Sequence, residues 1–204
     1  MEIPTTIGQF DLRSEIVALA IILLAIAIIL YLNRNRLQVR FREWRVERTL
    51  NRIGVEQIRD FICPDGLDGH YRIDRLALTP EAIVMVVYKP YVGTIFCAER
   101  ISEWTQVVGQ KSFKFENPLF ELDNQLTALG LVIGKVPMKG YLLFSESAVF
   151  PKGQTESVIQ PASIPASLAR EPASRFNPEV KSAWRQLREL HANPGGDREV
   201  GLKT

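Results

Sequence analysis

The chain has 204 residues, with 25 Lys and Arg against 23 Asp and Glu, a net charge of +2 at pH 7. That balance excludes a global basic field, and the length allows one domain with additions. Two cysteines (Cys63, Cys97) and two histidines (His70, His191) exclude a disulfide scaffold and a histidine-rich metal centre, and the thiols read as reduced and buried.

Residues 16–32 (IVALAIILLAIAIILYL) form an uninterrupted apolar run. At 1.5 Å per residue such a helix spans about 26 Å, close to the hydrocarbon core of a bilayer. A signal peptide needs a basic lead-in, whereas Glu2, Asp11 and Glu15 outweigh Arg13 here. The run is predicted as a single transmembrane helix, with residues 1–15 outside. Arg34, Arg36, Arg40, Arg42, Arg45 and Arg48 follow it closely, opposed only by Glu43 and Glu47. Arginine resists translocation, so the expected location is the inner (plasma) membrane, single-pass, with everything from Asn33 onward cytoplasmic.

Residues 33–53 read as a basic juxtamembrane helix, with Leu37, Phe41 and Trp44 at helical spacing between arginines. That composition suits anionic headgroups, and the bilayer is the first expected partner. The helix is expected to reach Phe61, broken or closely packed at Gly54, with Val55, Ile58 and Ile62 on an apolar face. Cys63-Pro64-Asp65-Gly66 would end it.

Residues 71–78 and 82–87 predict two strands joined by a turn at Thr79-Pro80-Glu81. The first alternates, which puts Asp74 on the side of Leu76 and Leu78. The second is a continuous apolar, β-branched run expected to be buried on both faces. Lys89, at its end, is expected close to Asp74. Residues 92–98 read as a further strand, and residues 104–115, with Phe113 and Phe115 alternating, as more strand or loop. Asn117-Pro118 predicts a helix start. Leu119, Leu122, Leu126, Leu129 and Ile133 carry the helix to a stop at Gly134. Residues 140–145 (GYLLFS) would extend the sheet. Pro, Ser and Ala then dominate from Phe150, which reads as a linker before a short helix over 178–191 and a disordered tail.

Glu56, IDRLAL (73–78), KPYVG (89–93), Trp104 and NPLFELDNQ (117–125) occur in an order and spacing that resembles the nuclease-related domain family, NERD. The resemblance covers residues 54–150, leaving 151–204 as linker, short helix and tail. It implies an α/β fold of the restriction-endonuclease-like, PD-(D/E)XK type, a mixed sheet flanked by helices. It also implies cleavage of a nucleic-acid backbone, DNA or RNA, with Mg²⁺. Carboxylates would hold the hard cation, which activates water, and a lysine would stabilise developing charge. Carried over by position, Asp74 would bind the metal, Lys89 would be the lysine and Glu56 the upstream helical acid. The glutamine that follows Asn-Pro in the family would be Gln125, or Glu121 would stand in its place.

One position departs from the pattern. The family places an acid two residues before the lysine, as Glu-x-Lys, and this chain has Val87-Tyr88-Lys89. Valine cannot ligate a metal. Three functions are compatible with that change. In the first, the domain is a degenerate nuclease fold that binds nucleic acid or a partner without cutting. Alternatively Glu121, one helical turn before Gln125, has taken over as a metal ligand of an active nuclease. In the third, the chain is a membrane-tethered module for a protein partner.

Overall fold

A computed structural model describes residues 12–65, 69–169 and 176–193. The expected N-terminal segment 1–15 falls mostly outside these residues, as does the expected tail after Asn193.

Helix α1 runs from Leu12 to Leu50. Over 19–34, where its side chains are described without a break, the apolar ones, such as Leu23, Leu24 and Ile29, are exposed. Among the described residues no helix is long and apolar enough to cross a membrane. The side chains of Val17 and Ala18, inside the apolar run, lie outside that set.

The expected helix up to Phe61 ends early. Gln57 donates to the carbonyls of Leu50 (2.6 Å) and Ile53 (2.7 Å), partners for carbonyls that a helix end leaves unpaired. Gly54 then turns the chain at φ +65°, where an added Cβ would stand 2.6 Å from the Leu78 carbonyl oxygen. The expected break at Gly54 is therefore a real turn. Residues 56–64, read from sequence as helix, are instead strand β1 (Glu56–Pro64). Apolar residues at short, irregular intervals fit either period, and pairing along the whole of the next strand decided for the sheet.

The first sheet has five strands in the order β1, β2 (His70–Leu78), β3 (Ile83–Lys89), β7 (Met138–Phe144) and β9 (Val158–Ile159). The first three are antiparallel neighbours, and β7 and β9 join in parallel. The mixed sheet implied by the family resemblance is thus present. The predicted hairpin is β2–β3, its turn closed by Thr79, whose Oγ1 and N–H both bond the Ala82 carbonyl. Ile83, Val84, Met85, Val86 and Val87 are all buried, as expected of a strand covered on both faces.

A second sheet, ordered β6 (Lys111–Glu116), β5 (Glu103–Val108), β4 (Gly93–Phe96) and β8 (Ala148–Val149), is built largely from the segment that follows β3. Helix α2 (Pro118–Ile133) has Asn117 as N-cap, accepting from the Leu119 N–H, and Gly134 as C-cap. Leu119, Leu122, Leu129 and Ile133 bury its apolar stripe in the core beside Leu76, Met85 and Leu142.

The stretch after Phe150 is not a linker. β9 adds to the first sheet, the Leu168 carbonyl accepts from the Gly54 N–H, and Ala169 bridges to Ile53. Helix α3 (Pro178–Ala192), close to the predicted 178–191, buries Val180, Ala183, Trp184 and Leu187. Few apolar residues sufficed because Val158, Ile159, Leu168, Val180, Trp184 and Leu187 are all buried.

Candidate functional site

Strand β3 ends at Lys89, and Pro90 to Gly93 carry the chain from one sheet into the other. Gly93 is required there. Its φ is +79°, and a Cβ would stand 2.4 Å from the Val107 carbonyl oxygen. Between them Tyr91 stacks on Phe115 of β6, ring centroids 4.4 Å apart, and lies 6.0 Å from Phe144. The Lys-x-Tyr-x-Gly motif therefore supplies a charge, an aromatic wall and the turn that aims them.

The facing wall is the first turn of α2, fixed by Asn117. Its Nδ2 donates to the carbonyls of Ala98, Glu99 and Ile101, with 2.8 Å to the last, while its Oδ1 caps the helix. Trp104, fully buried, adds a 2.9 Å bond from Nε1 to the Ala98 carbonyl. These two residues, matched in the resemblance, hold the loop 98–101 against α2.

Between the walls lies a cleft of about 620 Å³ lined by Tyr71, Lys89 and Tyr91 on one side and by Phe120, Glu121 and Asn124 of α2 on another, with Phe115, Glu116 and Ser102 beside them. Lys89 Nζ stands 3.0 Å from Glu121 Oε2, with the lysine side chain 19% exposed and the glutamate 55%. Gln125, 4% exposed, donates from Nε2 to Glu121 Oε1 at 3.3 Å. Its own Oε1 is buried and has no hydrogen-bond partner among the described residues. Lys89, Glu121 and Gln125 thus form one polar group at the cleft. Tyr71, Tyr91 and Phe120 were not singled out from sequence, although Tyr91 and Phe120 lie inside the motifs KPYVG and NPLFELDNQ.

Asp74 lies elsewhere in character. It is exposed rather than set among Leu76 and Leu78. The strand alternation slips at this point, where Asp60 of β1 adopts φ +52° between the pairs Arg59–Arg75 and Phe61–Ile73. Ile73 consequently joins Leu76 and Leu78 in the core and Asp74 turns out. The nearby charge is Arg72, bonded to Asp60; that bond, and more weakly the field of Asp74, raise the Arg72 pKa above its ordinary value. One residue beyond the Arg75–Val86 pair, Asp74 and Val87 come next along β2 and β3. Val87 is 7% exposed and packed in the core.

Glu56 is not on a helix. It opens β1, accepts from Trp184 Nε1 at 2.9 Å and from Arg188 at 3.3 Å. Along the strand it stands about 13 Å from the position facing Asp74, at about 3.3 Å per residue.

Among the described residues no three His, Cys, Asp or Glu side chains gather where a metal ion could be held. Glu121 is engaged by Lys89, Glu56 by Trp184 and Arg188, and a buried valine, Val87, stands two residues before Lys89. This donor set does not fit the magnesium that the family resemblance implies. The two thiols are free. Burial pushes the Cys63 pKa up to about 11, and burial also raises that of half-buried Cys97.

No curated protein and no solved structure is matched by the chain. Residues 38–145, more than half of the chain, match the family model NERD, nuclease-related domain, and the chain belongs to that family.

Proposed function

We propose that this chain is a NERD domain held at a membrane by α1, which binds nucleic acid without cutting it. The observation that carries the reading is Val87, buried next to the position of Asp74, with Lys89 turned to Glu121 instead of to a metal-binding pair. A carboxylate at position 87 would give the lysine and the metal a shared strand face. Valine gives neither.

Support for the anchor is the row of exposed apolar side chains from Leu19 to Leu32, a surface too large to leave in water. The arginines that follow favour the cytoplasmic side for the folded domain. The second reading, an active nuclease with Glu121 as relocated ligand, is favoured by the proximity of Glu121 to Lys89.

The two separate in one experiment. Purified full chain in detergent is incubated with plasmid DNA or RNA and Mg²⁺ or Mn²⁺, beside Asp74→Ala and Lys89→Ala. The expected result is intact nucleic acid, with binding that weakens as salt rises because phosphate contacts release counterions. Metal-dependent cutting lost in both variants overturns the reading in favour of the nuclease. Absence of any binding leaves the protein-partner function.

A further inference from the structure

Resting on the nucleic-acid reading, we infer that the cleft between Tyr91 and α2 takes a single unpaired nucleotide, so that the ligand is single-stranded nucleic acid and not duplex. Three observations point the same way. The first is size: about 620 Å³ is in the range of a pocket that encloses one small ligand, too small to admit a double helix.

The second is chemistry. Tyr71, Tyr91, Phe115 and Phe120 put four aromatic rings in the lining, with Tyr91 and Phe115 stacked on each other and Phe120 exposed, and a base has a π-face on each side. Among the described residues the only cation in the lining is Lys89, against Glu116 and Glu121. That balance is wrong for cradling the paired backbones of a duplex. It suits a neutral base, whose exocyclic amino groups donate to carboxylates. The amide of Asn117 is already committed within the fold, which leaves Asn124 and Ser102 as further polar edges.

The third is the path out. Strand β6 ends in the cleft wall at Phe115 and Glu116, and it is the edge of its sheet. Its exposed outer residues are Lys111, Ser112, Phe113 and Lys114. Phe113, 49% exposed, lies on the same strand face as Phe115, about 7 Å away. A flexible strand could stack a second base there, with Lys111, on that same face, available to its phosphates; Lys114 lies on the other face and pairs with Glu103 at 3.0 Å. A rigid duplex cannot splay its bases onto such a row.

The test measures binding of the full chain in detergent by fluorescence anisotropy. The probes are a DNA oligonucleotide of about 12 residues, a blunt duplex of the same sequence, and that duplex carrying one extrahelical nucleotide. The inference expects the single strand and the bulged duplex to bind about tenfold or more tightly than the blunt duplex. Phe120→Ala, which alters an exposed side chain and leaves the core intact, should remove most of that preference, and Phe113→Ala should weaken the single strand but not the bulged duplex. Equal affinity for all three probes, or a preference untouched by Phe120→Ala, overturns the inference while leaving nucleic-acid binding in place. No binding to any probe overturns both.

Discussion

Lys89 at the end of β3 and Glu121 on the first turns of α2 meet at 3.0 Å, across 32 positions of sequence. The pair closes the gap between a strand and the helix that packs on it, and the exposed glutamate screens the sheltered lysine from any anion in the cleft. Glu121→Gln keeps an oxygen acceptor for a base in the cleft and frees Lys89 for a phosphate, so it should raise affinity for nucleic acid severalfold, and Lys89→Ala should lower it. Because Glu121 is largely solvated, the stability change on losing the pair should be at most about 1 kcal/mol. A double-mutant cycle read by urea unfolding and by anisotropy separates the two effects; equal loss of binding in both single variants would contradict this assignment.

Trp184 is buried, and its Nε1 donates to Glu56, 128 positions away. Glu56→Ala leaves an indole N–H without its acceptor and should cost about 1–3 kcal/mol. Trp184→Phe in the same background should then cost less than it does in the parent chain, since the shared bond is already gone. Chemical denaturation of the four proteins of the cycle measures this. Additive losses would show that α3 is held by packing alone.

Cys63 gives a pH dependence with a definite sign. Its folded pKa lies near 11, above the ordinary 9.0, so the folded state keeps a proton that the unfolded state loses first. The contribution is complete below about pH 9 and is lost as the pH rises toward 11. Cys63→Ala should flatten the fall in stability over that window relative to the parent chain. Alkylation at pH 8 should be faster at Cys97, which is half-buried, than at Cys63.

For the anchor, paired charges at Leu24→Arg and Ile26→Arg should each cost about 2.5–3.5 kcal/mol of insertion. Carbonate extraction of membranes should retain the parent chain and release the double variant. Retention of both would count against insertion of this helix.

Much of the fold could be read locally. The β2–β3 hairpin, Asn117 as a helix start and Gly134 as its end follow from strand period, proline and glycine chemistry, all of which act within a few residues. The reading failed where contacts are distant. Residues 56–64 became a strand because β2 offers a full edge of backbone donors and acceptors, information that no window around Ile58 contains. Residues 158–168 looked like a linker because their value lies in partners more than a hundred positions away for Leu168 and Gly54.

The site divides along the same line. Sequence by itself determined the residues KPYVG and NPLFELDNQ, the valine at position 87 and the apolar N-terminal run, since identity and order are local facts. Only the tertiary structure decided that Asp74 turns outward at the Asp60 distortion, that Glu56 serves Trp184, and that Lys89 faces Glu121 over a cleft walled by Tyr91 and Phe120. Ion pairs and cleft walls are set by how sheets and helices pack, and packing joins residues whose separation along the chain carries no signal of their meeting.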